Sequence, residues 1–137
     1  MKHSLLFLIP ILLIVFSGCS SLESNSIICT NTEVDQGETL KTVVKAIIED
    51  DKVVSISGTF SFDKENSANS FYNILNIRNE VSDNHYDLGL RIDEKVVYVD
   101  NYQYMFPDLI QDGKSSIIGM LKDEYIIFMN DNLYTCE

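Results

Sequence analysis

The strongest constraint on the fold of this chain is the alternation of apolar and polar side chains between residues 40 and 62. In the first half of this stretch, one face carries Leu40, Thr42, Val44, Ala46 and Ile48. In the second half, the alternation assigns one face to Val54, Ile56, Phe60 and Phe62. The polar run at residues 49–52 separates the two halves. Because successive strand side chains point to opposite faces, the pattern predicts an antiparallel hairpin with one buried face.

The segments on both sides of this hairpin are expected to extend the same sheet. Residues 27–34 have the composition of a first strand, which ends at the turn signal of residues 35–37. Further along, the alternation in residues 86–92 and the apolar run at residues 96–99 predict a second hairpin. The sequence therefore predicts a sheet built from antiparallel neighbours.

Two helices are expected between these strands. Asp63 can cap a helix that runs to about Arg78, and its apolar side carries Ala68, Phe71, Tyr72 and Leu75. After Pro107 we expect a second helix over residues 115–122 and a last strand over residues 125–129. The order of elements predicts an α+β domain: an antiparallel sheet of about five to six strands with two helices on one face, preceded by a signal peptide.

The amino terminus has the pattern of an export signal. Lys2 precedes an apolar run over residues 5–16, which is too short to cross a membrane comfortably and suits the core of a signal peptide. Two small residues, Ser17 and Gly18, then precede Cys19. An ordinary secretory signal and an uncleaved membrane anchor are the alternative interpretations.

The tetrapeptide Phe16-Ser17-Gly18-Cys19 resembles the lipobox of bacterial prolipoproteins, in which Leu usually occupies the place of Phe16. The resemblance implies that the Cys19 sulfur receives a diacylglyceryl group and that cleavage leaves Cys19 as the first residue. Cysteine suits this chemistry because its thiolate is a nucleophile. Two acyl chains would hold the protein stably at a membrane.

The whole precursor is similar to small single-domain lipoproteins of Gram-positive bacteria, of unassigned activity, which join a lipobox to a strand-rich domain with a cysteine near each end. A length of 137 residues fits one such domain. We therefore divide the chain into a signal peptide (1–18), a lipidated polar tether (19–26) and a single exported domain (27–137). The resemblance implies a lipid-anchored protein on the extracytoplasmic face of the cell membrane.

The charge of the chain narrows the range of its partners. Ten Lys and Arg residues stand against 21 Asp and Glu residues, and the formal net charge is −11. A domain with this charge repels the phosphates of nucleic acids and anionic lipid headgroups. We therefore expect no nucleic-acid partner.

Cys29 and Cys136 lie near the two ends of the exported domain. Domain termini often lie close together, and an exported protein folds where disulfides form. A Cys29–Cys136 disulfide is the leading expectation. A redox-active thiol and a pair of free thiols are the alternatives, although no Cys-x-x-Cys spacing is present.

The sequence contains no set of residues that predicts catalysis, a metal site or a cofactor. His85 is the only histidine outside the signal peptide, and no nucleophile or orienting acid is evident for it. Asp63, Glu65 and the run at 130–132 superficially suggest calcium ligands. They lack the full loop pattern, and capping and turn chemistry explain them better.

The most specific candidate for a contact surface is the alternation of Tyr102, Tyr104 and Phe106 before Pro107. Exposed aromatic rings are enriched at interfaces, whereas a continued strand would bury one face of this run. We expect Phe106 to be core, and Tyr102 or Tyr104 to be available to a partner. The leading function is a surface-tethered binding module for a protein or glycan of the envelope. The alternative is a small envelope enzyme, either a hydrolase or a thiol oxidoreductase.

Overall fold

The computed structural model describes residues 25–81 and 86–137. The signal peptide, Cys19 and most of the tether lie outside these residues, as does His85. The elements follow in the order β1 (Asn25–Asp35), β2 (Glu38–Glu49), β3 (Lys52–Phe62), α1 (Glu65–Val81), β4 (Leu90–Asp93), β5 (Val96–Val99), β6 (Ile110–Gln111), β7 (Lys114–Ser115), α2 (Lys122–Asp131) and β8 (Thr135–Cys136). Two short 3-10 turns, Tyr102–Met105 and Pro107–Leu109, follow β5.

Six of the strands form one antiparallel sheet in the order β4-β5-β3-β2-β1-β8, and β6 pairs with β7 in a separate small hairpin. Both helices contribute buried residues to the same core as the inner face of the sheet. The predicted α+β architecture, an antiparallel sheet with two helices on one face, is therefore confirmed. The outer face of the sheet carries the alternate, mostly polar side chains.

The long meander β1-β2-β3 forms because its alternation and its turns agree. The predicted inner positions of β2, from Thr42 to Ile48, are buried, and the intervening positions are more exposed. The turn between β1 and β2 has positive φ at Gln36 and Gly37, and the turn between β2 and β3 has positive φ at Asp50 and Asp51. Two consecutive positive φ values match the twist of a tight hairpin.

The sequence prediction that Val54 faces the core at the start of β3 was wrong. Val53 is fully buried, whereas Val54 is 39% exposed. The pairing of β2 with β3 shifts between Ile47, opposite Ser55, and Ile48, opposite Val53. Val54 is therefore the extra residue of a β-bulge, and beyond it the alternation changes phase.

The first helix agrees with the sequence prediction except at its start. Ala68 and Leu75 are buried as expected, but the helix begins at Glu65, so that the capping position falls on Lys64. The carboxylate of Asp63 instead accepts a hydrogen bond from the backbone N–H of Thr39, at 2.6 Å. Asp63 therefore connects the start of β2 to the end of β3.

The prediction for residues 115–129 was wrong. The second helix is α2, and it contains the run from Tyr125 to Met129 that was expected to be a strand. Tyr125 and Met129 are four residues apart and both fully buried, so one turn of helix brings them to the same side. The acidic residues Asp123 and Glu124 in the first turn also favour a helix start here. The last strand is β8, at the carboxyl end.

The expected disulfide is present. Cys29 and Cys136 lie opposite each other on the neighbouring strands β1 and β8, and their sulfurs are bonded. The bridge joins residues 107 positions apart in the sequence. Backbone hydrogen bonds between Ile28 and Glu137 run in both directions beside it, so the carboxyl end is held against β1.

Candidate functional site

The aromatic segment after β5 does not continue as a strand. Val97 and Val99 face the core, whereas Val96 and Tyr98 are partly exposed. The chain then turns into a 3-10 helix, so the alternative in which a continued strand buries one face of Tyr102, Tyr104 and Phe106 does not hold. The turn aims Tyr102 and Tyr104 into different surroundings.

Tyr102 belongs to the core. It is only 3% exposed, and its ring lies directly over Gly58 in the middle of β3. The hydroxyls of Tyr102 and Tyr134 lie 2.8 Å apart and share a hydrogen bond. Tyr102 therefore offers no contact surface to a partner. Phe106 is partly buried and packs edge-on against Tyr102 and Phe128, as expected for a core residue.

The tyrosine hydroxyls beneath this segment are held neutral. Burial raises the pKa of Tyr102, and the neighbouring Tyr134 adds to the increase. Burial also raises the pKa of Tyr125 and of Tyr134. The hydroxyl of Tyr125 has no hydrogen-bond partner among the described residues. These tyrosines are therefore suited to packing rather than to proton transfer near neutral pH.

Tyr104 lies at the surface end of the same segment and forms the candidate site. Its ring stacks on Tyr86 with centroids 4.8 Å apart and planes 15° from parallel. The two rings line a small pocket of about 110 Å³, called the aromatic pocket below. Its remaining walls are Arg78, Asn79, Leu88, Pro107 and Ile110.

Hydrogen bonds hold the walls of the aromatic pocket together. The side chain of Asn79, near the end of α1, accepts a hydrogen bond from the backbone N–H of Leu88 at 3.3 Å. Asn101 donates its backbone N–H to the Leu88 carbonyl at 3.1 Å and its side-chain amide to the Asp87 carbonyl at 2.7 Å. The segment before β4 is thereby fixed to the helix on one side and to the 3-10 turn on the other.

The lining of the aromatic pocket is mostly apolar. Its polar wall residue Asn79 already uses its carbonyl oxygen, so the tyrosine rings, Leu88 and Ile110 dominate the interior. Arg78 is solvent-exposed and forms no ion pair with any described residue. A ligand that places an apolar group in the pocket and carries a carboxylate beside it would suit the Arg78 guanidinium.

The other candidate residues have structural partners. Asp63 accepts from Thr39, and the side-chain amide of Asn132 donates to the Phe128 carbonyl at the end of α2. Within residues 25–81 and 86–137, no three His, Cys, Asp or Glu side chains are grouped as metal ligands. Over the same residues, no helix has the length and apolar character needed to cross a membrane.

Comparison with known proteins gives no relative from which a role could be transferred: no family model, no curated protein and no solved structure matches this chain. The site therefore has to be judged from its own residues. Tyr104 was selected from the sequence, whereas Tyr86 and Leu88 were read only as strand residues. The stack of Tyr86 on Tyr104 joins positions 18 residues apart, and Leu88 lines the same pocket from a position 16 residues before Tyr104. No local pattern in the sequence indicates either relation.

Proposed function

We propose that this chain is a membrane-held binding module whose domain contacts a protein partner through the aromatic pocket. The observation that supports this proposal most is the stacked pair Tyr86 and Tyr104, which stays partly accessible beside an apolar pocket. Rigid aromatic rings provide a large contact area with little loss of side-chain entropy, and they are enriched among residues that dominate binding energy.

The size of the aromatic pocket favours a single side chain as its occupant. An apolar cavity of about 150 Å³ can hold benzene, so a pocket of about 110 Å³ suits a branched aliphatic side chain. Arg78 would add a charge contact with an acidic residue nearby on the partner. A glycan stacking on the tyrosine rings is the alternative occupant, and it would leave the pocket beneath them unfilled.

The proposed location rests on the lipobox-like sequence that ends at Cys19. A lipid on Cys19 would place the domain on the extracytoplasmic face of the cell membrane. Only residues 19–24 would separate the lipid from the start of β1, and six extended residues reach roughly 20 Å. The partner would therefore be a protein at or close to the membrane surface.

The anchor is tested by the substitution Cys19→Ala in cells fed a labelled fatty acid. We expect the wild-type protein to take up the label, and the variant to stay unlabelled and uncleaved. Cys29→Ala is the matched control, because it removes a different cysteine and should leave labelling intact. Uptake of label by Cys19→Ala would contradict the assignment.

The pocket is tested by photocrosslinking in intact cells. A photoreactive amino acid replaces Pro107, an exposed wall of the pocket, and in a control strain it replaces Ile74, which is exposed on α1. We expect a discrete adduct from position 107 only. Adding Tyr104→Ala should reduce this adduct at least about fivefold, the effect of 1 kcal/mol. Tyr98→Ala, which removes a partly exposed ring elsewhere, should not reduce it.

The control comparisons decide the result. Equal adducts from positions 107 and 74 would mean that the aromatic pocket has no special role. An adduct from position 107 that survives Tyr104→Ala in a folded variant would contradict the proposed contact. An adduct with a glycan would replace the protein partner by the alternative occupant.

A further inference from the structure

The strand β1 lies at the opposite side of the sheet from β4, and among the described strands only the short strand β8 lies beyond it. The short strand β8 pairs with β1 at Cys29 and Thr30, and Glu137 extends this pairing to Ile28. Leu133, which precedes β8, has a φ of +68° and does not pair with β1. Residues 31–35 of β1 consequently have β2 on one side and no strand among the described residues on the other.

The backbone along this open edge offers unused hydrogen-bonding groups. Ile28 exchanges both of its backbone hydrogen bonds with Glu137, so the N–H and C=O of Ile28 point away from β2. In an antiparallel sheet, every second residue points its backbone groups to the same side. Thr32 and Val34 therefore present two N–H and two C=O groups outward. Apart from the pairing of β1 with β2, no backbone hydrogen bond among the described residues uses these groups.

The side chains beside the open edge define the charge of a matching partner. On the inner face, Glu33, Asp35 and Glu38 border a cavity of about 250 Å³, and Leu40 and Phe62 supply apolar wall. The ammonium group of Lys64 lies 3.9 Å from the carboxylate of Glu38, so a cation is already paired with one of these acidic residues. An apolar wall beneath carboxylates suits lysine or arginine, whose aliphatic stem packs on apolar surface and whose charge stays at the rim.

A second copy of this chain fits the edge poorly. Pairing of residues 31–35 with themselves would bring Glu33 and Asp35 of both copies into one interface, and facing like charges destabilise a strand pair. Acidic residues on an edge strand also discourage pairing with uncharged strands. These charges do not oppose a basic strand.

We propose that an extended, lysine- or arginine-rich polypeptide segment adds to β1 as a further strand along residues 31–35. Its backbone bonds Thr32 and Val34, and one basic side chain enters the cavity between Glu33 and Glu38. This mode of strand addition obtains affinity from the backbone and selectivity from alternate side chains. The proposal uses a different surface from the aromatic pocket and does not depend on it.

The test uses the full-length protein in nonionic detergent and a ten-residue peptide of alternating lysine and threonine. The comparison peptide has glutamate in place of lysine. We expect the lysine peptide alone to bind and to slow amide hydrogen exchange at Thr32 and Val34 at least about tenfold. Binding without slower exchange at these two amides would overturn the proposal, because it would show only general attraction to an acidic protein. Equal binding of the glutamate peptide would also overturn it.

Matched variants separate edge binding from net charge. Glu33→Gln should weaken binding roughly two- to fivefold, the range of an exposed ion pair. Asp93→Asn makes the same charge change at the other edge of the sheet, on β4, and should leave binding unchanged. Equal weakening by both substitutions would refute the site.

Val34→Pro removes one outward N–H while leaving the bonds to β2 possible, and it should weaken binding roughly tenfold. Full binding by a folded Val34→Pro variant would refute strand addition. If this variant loses the exchange protection of β2, the comparison of Glu33→Gln with Asp93→Asn decides the proposal alone.

Discussion

The contact between Tyr102 and Gly58 gives the sharpest test of how the core is built. Gly58 lies on the inner face of β3, between Val44 of β2 and Val99 of β5, and both neighbours are fully buried. A Cβ atom added at Gly58 would lie 2.5 Å from Cε2 of the Tyr102 ring and closer still to Cδ2. The substitution Gly58→Ala therefore forces the ring to move.

The cost of that movement can be estimated from three effects. Overpacking a dense core costs about 1–3 kcal/mol. Displacing the ring also endangers the buried hydrogen bond between the Tyr102 and Tyr134 hydroxyls, which adds about 1–2 kcal/mol if it breaks. Against this, alanine lowers the entropy of the unfolded chain and returns roughly 0.5–1 kcal/mol. We expect Gly58→Ala to lower the free energy of unfolding by about 2–4 kcal/mol.

The assay is a double-mutant cycle measured by urea unfolding with the disulfide intact. In a Tyr102→Ala background the ring is absent, so Gly58→Ala should be neutral or stabilising by up to about 1 kcal/mol. Ser57→Ala, on the outer face of the same strand, is the control and should change stability by less than about 0.5 kcal/mol. The reasoning fails if Gly58→Ala costs the same with and without the Tyr102 ring.

Three further predictions concern stability. Replacing Cys29 and Cys136 together by serine should cost about 2–4 kcal/mol in the same urea assay, because the bridge closes a loop between residues 107 apart; an unchanged midpoint would contradict this. Burial raises the pKa of Tyr102 and Tyr125, so above about pH 10 the unfolded state releases protons that the folded state keeps. The free energy of unfolding should then fall by roughly 1.4 kcal/mol per pH unit for each tyrosine. A free energy of unfolding that does not change above about pH 10 would contradict the raised pKa of these tyrosines. Phe106→Ala should cost about 3 kcal/mol, and a loss below about 1 kcal/mol would place this ring outside the core.

The parts of the fold that the sequence predicted are those with local signals. The period of two in β2, together with the polar turns around it, determined the hairpins and the buried face. The disulfide followed from the two cysteines near the domain ends and from the expected compartment. The hairpins were predictable from short segments alone, and the disulfide was predictable because domain termini often lie close together.

The parts that the sequence missed depend on tertiary packing. The run from Tyr125 to Met129 is rich in β-branched and aromatic residues, which favour strands, yet burial of both end residues on one side makes it helical. The bulge at Val54 shifts the register by one residue and has no marker of its own. The position of Tyr102 depends on the space that Gly58 leaves on another strand.

The candidate site was predictable to the same partial extent. Tyr104 could be selected because aromatic residues cluster before Pro107. Its stacking partner Tyr86 could not, because the pair forms only when the segment before β4 is fastened to the 3-10 turn through Asn101. The open edge of β1 likewise appears only once β8 is seen to pair with so few residues.

The central claim, that this domain works while held at the outer face of a membrane, is tested most directly by the intact mass of the native protein. Protein extracted from the membrane fraction of its own cells should have the mass of residues 19–137 with a diacylglyceryl group on Cys19 and two hydrogens lost to the Cys29–Cys136 bridge. A mass that matches the unprocessed chain, or a chain that begins at another residue without lipid, would contradict the account.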